Sequence, residues 1–282
     1  MAVVRRSPQV FGYANVRWKL GQLLDVCDWL RLTSHGGLSQ LLQRLGISYK
    51  RGRDYVHSPD RHYVEKLDLL QQARLRAYYA PERYVFTYAD QLTYYRQPSL
   101  AQAYELRGHA QPRAERSHAT NTAFRIMGAL NAVSGQVTYR QRSHTNIACL
   151  VDFWYDLRQA YPEAATIYVV VDNWPVLFHP EVLAPLQAQN LPWPPYVPSN
   201  WPKAANKSAR YDNLPIQLLC LPTYASWLNP IEKLWRWLKQ DVLHLHRLSH
   251  DWPALKQAVA DFLDPFAAGS RPLLRYVGLL PD

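Results

Sequence analysis

Three acidic residues stand where a chain places ligand-binding groups as readily as surface charge. Tyr84-Val-Phe-Thr-Tyr-Ala-Asp90 and Thr166-Ile-Tyr-Val-Val-Val-Asp172 are apolar, β-branched or aromatic runs that stop abruptly at a carboxylate. Such runs read as buried strands. An acid at a strand's carboxyl end is where open α/β sheets bind ligands, although Asp also serves simply to end a strand. The third acid, Glu232, opens an amphipathic segment. Asn229 is a good N-cap there, Pro230 suits the first helical position, and Glu232 falls three residues after the cap, within reach of its backbone. Ile231, Leu234, Trp235, Leu238 and Val242 then recur at helical spacing, with Lys233, Arg236 and Lys239 pointing elsewhere. A capped surface helix accounts for Glu232 taken singly. Three acids so placed point to one shared site.

Together, Tyr-Ala-Asp90, Val-Val-Asp172-Asn173 and Leu221-Pro-Thr-Tyr-Ala-Ser-Trp-Leu-Asn-Pro-Ile-Glu232 resemble the catalytic signature of DDE transposases, in the bacterial insertion-sequence branch of the mariner superfamily. The resemblance runs from Gly21 to Phe266, and Leu-Asn-Pro-Ile-Glu232 followed by Trp235 is its most specific part. It implies an RNase H-like fold and the cutting and joining of DNA strands, with Asp90, Asp172 and Glu232 as catalytic and metal-binding residues for two divalent ions, Mg²⁺ or Mn²⁺. Asp90 would bridge the ions while Asp172 and Glu232 each hold one, because in-line displacement at a phosphodiester needs both the attacking and the leaving oxygen stabilised. Two positions depart from the family pattern. Gln91 stands where many members have Glu, and Leu177 where many have His, with His179 two residues on as a substitute. Gln91, His179 and Asn229 are the candidates for orienting the ligands. Asn173 either contacts the scissile phosphate or caps the turn that follows.

The elements that must position these acids can be read from the rest of the chain. The 282 residues suffice for one sizeable core domain and a small appendage. No apolar stretch approaches membrane-span length, and Met1-Ala-Val-Val-Arg-Arg-Ser lacks the apolar centre of a secretion signal, so the expectation is a cytoplasmic, nucleoid-associated bacterial protein without membrane contact. Cys27, Cys149 and Cys220 are scattered among apolar residues and read as packing. The net charge of +10 is uneven: residues 1–57 carry nine Lys or Arg against three acids, and residues 105–142 carry six Arg against two Glu. A concentrated positive charge of this kind calls for a polyanion, here double-stranded DNA.

Residues 22–31 and 38–45 read as two short helices separated by the turn Thr33-Ser-His-Gly-Gly37, the shape of a helix-turn-helix. Its second helix would offer Ser39, Gln40, Gln43 and Arg44 to DNA, helped by Lys50, Arg51 and Arg53 in the basic exit. Members of the family usually carry a further helical unit ahead of this one. Arg61–Tyr79 reads as a long amphipathic helix. Strands follow at Tyr84–Ala89, Thr93–Arg96, Phe124–Leu130 and Val137–Tyr139, then a helix to Ala160, the strand ending at Asp172, a last strand Ile216–Leu221, the Glu232 helix, a closing helix Trp252–Phe266 and an extended tail from Gly269. A right-handed return from the helix would bring Asp172 beside Asp90.

The expected organisation is therefore α/β: a helix-turn-helix-like unit at 1–57, a linker helix at 58–81, and an RNase H-like mixed sheet flanked by helices at 82–282. A Pro- and Trp-rich insertion at 191–211 interrupts the last part. It reads either as a surface loop or as a clamp in which Trp193, Tyr196 or Trp201 stacks on an unpaired base beside Lys203 and Lys207. Three functions remain open at this level: an active transposase working as a homo-oligomer, a dimer, on DNA; a catalytically silent DNA-binding descendant; and an RNase H-like repair nuclease.

Overall fold

A computed structural model describes residues 3–49, 57–106, 108, 110–206 and 208–281. The chain forms two compact units, Met1–Tyr55 and Val56–Asp282. In the first, α1 (Leu20–Val26) packs on α2 (His35–Arg44) through buried Leu23, Cys27 and Leu38. The stretch Thr33–Gly37 is not wholly a turn. Ser34 caps α2 by accepting from the Gly37 amide at 3.1 Å, which draws His35, Gly36 and Gly37 into the first helical turn.

The second unit begins with α3 (Tyr63–Tyr79), followed by β1 (Tyr84–Tyr95), β2 (Ala123–Asn131), β3 (Val137–Arg142) and α4 (Ile147–Ala160). Then come β4 (Thr166–Val171), the single turn α5 (Pro180–Leu183), β5 (Ile216–Cys220), α6 (Ile231–Leu238), α7 (Trp252–Leu263) and α8 (Arg271–Val277). The sheet order is β3-β2-β1-β4-β5. The first three strands form an antiparallel meander, and β4 and β5 add in parallel.

Alternation along β1 divides the core. Val85 and Ala89 face α4, where Leu150, Phe153, Trp154 and Leu157 meet Ile167, Val169 and Val171 of β4. Phe86 and Tyr88 point the other way, against Leu70, Ala73 and Ala77 of α3, while Leu92 and Tyr94 meet α6, α7 and α8. Cys27 and Cys220 are buried as packing residues, and Cys149 is half-buried. The start of α3 is tied down by a buried ion pair, Lys66 to Asp60 at 2.8 Å, and Asp60 also accepts from the Thr223 amide at 2.8 Å. Burial alone would raise the Asp60 carboxyl; the hydrogen bonds from Lys66, Thr223 and His62 outweigh it and hold the group well below the usual carboxylate range.

Two expected elements differ. Thr93–Arg96 is no separate strand: β1 is continuous because β2 goes on pairing with it from Asp90↔Gly128 to Tyr95↔Ala123, so its backbone groups stay satisfied past the acid. The tail is not extended. Ser270 caps α8 by accepting from Leu273 at 3.1 Å, and Leu273, Leu274 and Val277 bury a helical face that fixes it.

Candidate active site

Register brings the first two acids together. The last pairs of β1 with β4 end at Tyr88↔Val170. Asp90 and Asp172 each lie two residues beyond that pair, hence level with one another and on the same face of the sheet, the face that Tyr88 and Val170 share with α3. Asp90 lies inside β1, where β4 has given out and only β2 continues beside it. Asp172 follows the last residue of β4 and its Oδ1 accepts from the Trp174 amide at 3.2 Å, so Asp172 itself caps the turn after the strand.

Helix α6 crosses this face. Ile231, Leu234, Trp235 and Leu238 are buried, each contributing on the order of 2 kcal/mol by leaving water, and Glu232 is left exposed in the first turn. The capping box is absent. Pro230 is the residue that caps the helix, with helical backbone angles, and no side chain bonds the first amides. Asn229 is 5 % exposed and its Nδ2 donates instead to the Ala89 carbonyl at 3.4 Å, so it ties the start of α6 to the residue before Asp90. One turn on, Trp235 Nε1 donates to Asp90 Oδ2 at 3.0 Å. Glu232 is thus bracketed by two side chains that both reach to β1. Its own carboxylate is free of capping.

The electrostatics agree with this convergence. Burial first, then the charge of Glu232 and less strongly that of Asp172, push the Asp90 carboxyl up to about 7, against the pull of the Gln91 amide and the Trp235 indole. Burial also raises Asp172, opposed by the Trp174 amide. Mutually repelling oxygen donors of this kind match a hard divalent cation in chemistry. Among the described residues, however, no three His, Cys, Asp or Glu side chains are gathered closely enough to hold an ion as they stand. Asp172 and Glu232 are exposed, and the charge of each is felt at Asp90.

The remaining candidates are placed as follows. Gln91 projects to the α4 face with Val85 and Ala89, opposite Asp90, and only its amide supports that carboxylate. His179 Nδ1 accepts from the Glu181 amide at 3.2 Å and its ring lies 4.9 Å from that of Trp201, which engages it at the start of α5. Asn173 Nδ2 donates to the Leu221 carbonyl at 2.9 Å, joining the ends of β4 and β5, while its buried Oδ1 has no partner. Gln40, Gln43 and Arg44 are exposed on α2, Ser39 is half-buried, and Lys50, Arg51, Arg53 and Lys207 lie outside the described residues. In the irregular 191–211 stretch Trp193 stacks on His62 at 5.2 Å and Trp201 meets the His179 ring in a T-shaped contact, whereas Tyr196 and Lys203 are exposed. Sequence reasoning passed over Gly128 and the indole of Trp235. A lone glycine inside a strand pattern, a signal of close approach, was available for the first.

A mixed sheet in this order with acids side by side on its two central parallel strands, and a third on a helix laid across them, defines an RNase H-like nucleic-acid strand-processing fold. Residues 85–256 match the family model for the DDE superfamily endonuclease. The chain belongs to that superfamily. It is 24% identical over 279 residues to the insertion element IS630 uncharacterized 39 kDa protein of Shigella sonnei, covering 97% of this chain and 72% of that one. Among solved structures it is similar to a pre-cleavage Mos1 transpososome, with a TM-score of 0.56 and 17% identity, covering 97% of this chain and 82% of that chain. It is also similar to the Mos1 mariner paired end complex with Mn, at a TM-score of 0.55 and 17% identity over 93% of this chain and 74% of that chain. At such identities these structures attest the fold. Among the described residues no helix is long and apolar enough to cross a membrane.

Proposed function

We propose that Asp90, Asp172 and Glu232 are the catalytic ligands of two divalent ions, Mg²⁺ or Mn²⁺, with which the chain cleaves DNA strands at the ends of its own insertion sequence and joins them to a target. The observation that carries this reading is the convergence of Asp90 and Asp172 at one register level, with the Glu232 charge felt at Asp90. Bound there, the ions would stabilise the attacking and leaving oxygens of a phosphodiester displacement. The protein's own part is to supply three carboxylates from three separate elements and to hold Asp90 from behind through Trp235. Asn173 and Asn229 each have a buried carbonyl oxygen without a partner beside the acids, an acceptor that a cation or a donating water would satisfy.

Residues 1–57 would grip double-stranded DNA, with Gln40, Gln43 and Arg44 exposed on α2 as the reading face. The stretch 58–81 would join that unit to the catalytic domain at 82–282, within which 191–211 is an insertion offering Tyr196 and Lys203 to DNA. A dimer on DNA would be the working assembly; Mos1, similar in fold, forms a paired-end complex with its transposon end. The protein would act in the cytoplasm at the nucleoid.

The deciding experiment incubates the chain with Mn²⁺ and a duplex carrying its own element ends. Nicks at those ends that vanish in Glu232→Gln support the reading. Equal nicking by wild type and Glu232→Gln removes Glu232 from the catalytic set.

A further inference from the structure

We propose that Trp235 is a positioning residue for the acid site, its indole N–H holding the Asp90 carboxylate ready for a cation, and that Gly128 lacks a side chain so that this indole can lie where it does. The proposal rests on the reading of the three acids as divalent-ion ligands given above.

The geometry is a short chain of contacts. Asp90 on β1 pairs across the ladder with Gly128 on β2. Trp235 is 1 % exposed, so its N–H has no water to turn to and a buried indole N–H needs an acceptor. The acceptor it finds is Asp90 Oδ2, at 3.0 Å. The benzo edge of the same ring lies over Gly128: a Cβ there would come within 2.6 Å of Cη2 and 2.9 Å of Cζ2. Glycine inside a strand is unfavourable unless something approaches closely, and here the approaching group is the ring that orients the acid. Because Trp235 follows Glu232 by one helical turn, the single N–H···O bond also sets the spacing between the strand that carries Asp90 and the helix that carries Glu232. Packing alone would be met by a phenyl ring. The N–H is what distinguishes tryptophan at this position.

Side chains that orient metal ligands typically account for about 10- to 100-fold in metal affinity. In the full chain, Trp235→Phe should therefore weaken Mn²⁺ binding, measured by calorimetry without DNA, by about 10-fold or more. In nicking assays it should raise the half-saturating Mn²⁺ concentration while leaving the rate at saturating Mn²⁺ close to wild type. Gly128→Ala keeps the indole but displaces it, and should shift Mn²⁺ binding in the same direction. Wild-type Mn²⁺ affinity in a folded Trp235→Phe chain overturns the proposal while leaving the metal reading intact; absence of Mn²⁺ binding to the unmodified chain overturns both. Should neither variant fold, the unmodified chain still decides by ¹⁵N spectra of its indole N–H groups. One indole signal should shift in Asp90→Asn, and the same signal should respond to Mg²⁺ in the wild type. No indole signal answering to both changes also overturns the proposal.

Discussion

At the scale of single residues, charge and hydrogen bonding separate what each acid does. Glu232 makes no capping bond, so Glu232→Gln removes only charge from an exposed site. Its melting temperature should stay within a degree or two of wild type, while Mn²⁺-dependent nicking falls by at least about 100-fold, as expected when a ligand or developing-charge stabiliser is lost. Asp90→Asn and Asp172→Asn should be equally inactive. Asp90 adds a dependence on pH that can be read without metal. Its carboxyl is raised from 3.8 to about 7 in the folded protein, so the fold favours its protonated form. The associated stability is complete below the unfolded value near 3.8 and is lost as pH rises through about 7. Asp90→Asn does not titrate. In metal-free buffer the wild type should therefore lose stability relative to Asp90→Asn between about pH 4 and pH 7, by on the order of 4 kcal/mol, and run parallel to it above. Urea titrations at several pH values test this, and a constant gap across that window would contradict it.

At the scale of elements, the site depends on how α3 and α6 are held to the sheet. The Asp60–Lys66 pair is nearly inaccessible to water, with side-chain exposures of 7% and 8%, and Asp60 also holds Thr223 in the connection that leads from β5 to α6. Removing one partner of a buried pair strands the other charge. Lys66→Ala should cost about 3–5 kcal/mol in denaturant unfolding, much more than an exposed ion pair. A loss below about 1 kcal/mol would show that water reaches Asp60 more freely than its burial implies. Asn229→Ala breaks the tie to the Ala89 carbonyl and should cost about 1 kcal/mol.

At the scale of the whole molecule, the uneven charge is the dominant feature. Most of the +10 lies in residues 1–57 and 105–142, so affinity for duplex DNA should fall steeply with salt and hold without metal. Arg44→Ala on the exposed side of α2 should weaken binding at every salt concentration and lower the slope of log affinity against log salt by about one. Fluorescence anisotropy between about 50 and 200 mM salt, a span over which a protein with several phosphate contacts loses orders of magnitude in affinity, is the measurement. An unchanged slope would remove Arg44 from the phosphate-contacting surface.

Much of this protein was legible in its residues taken in order. The strands ending near Asp90 and Asp172, α4 and α6 all follow from local periodicity, because the side-chain period of a strand or helix is written in neighbouring residues. Asp90 and Asp172 were visible for the same reason, each standing at an abrupt break in an apolar pattern, and Glu232 through its place after Asn229 and Pro230 at a helix start. What the tertiary structure alone decided concerns partners distant in sequence. Asp90 proves to be internal to β1 because β2 pairs past it. Asn229 leaves its expected cap to bond Ala89, 140 residues away, and Trp235 reaches Asp90 across 145 residues. α8 forms in a segment expected to be extended because its apolar face meets α6 and the antiparallel side of the sheet. Such choices depend on register and on which buried groups are left needing partners once the sheet has closed, and no local spacing encodes them.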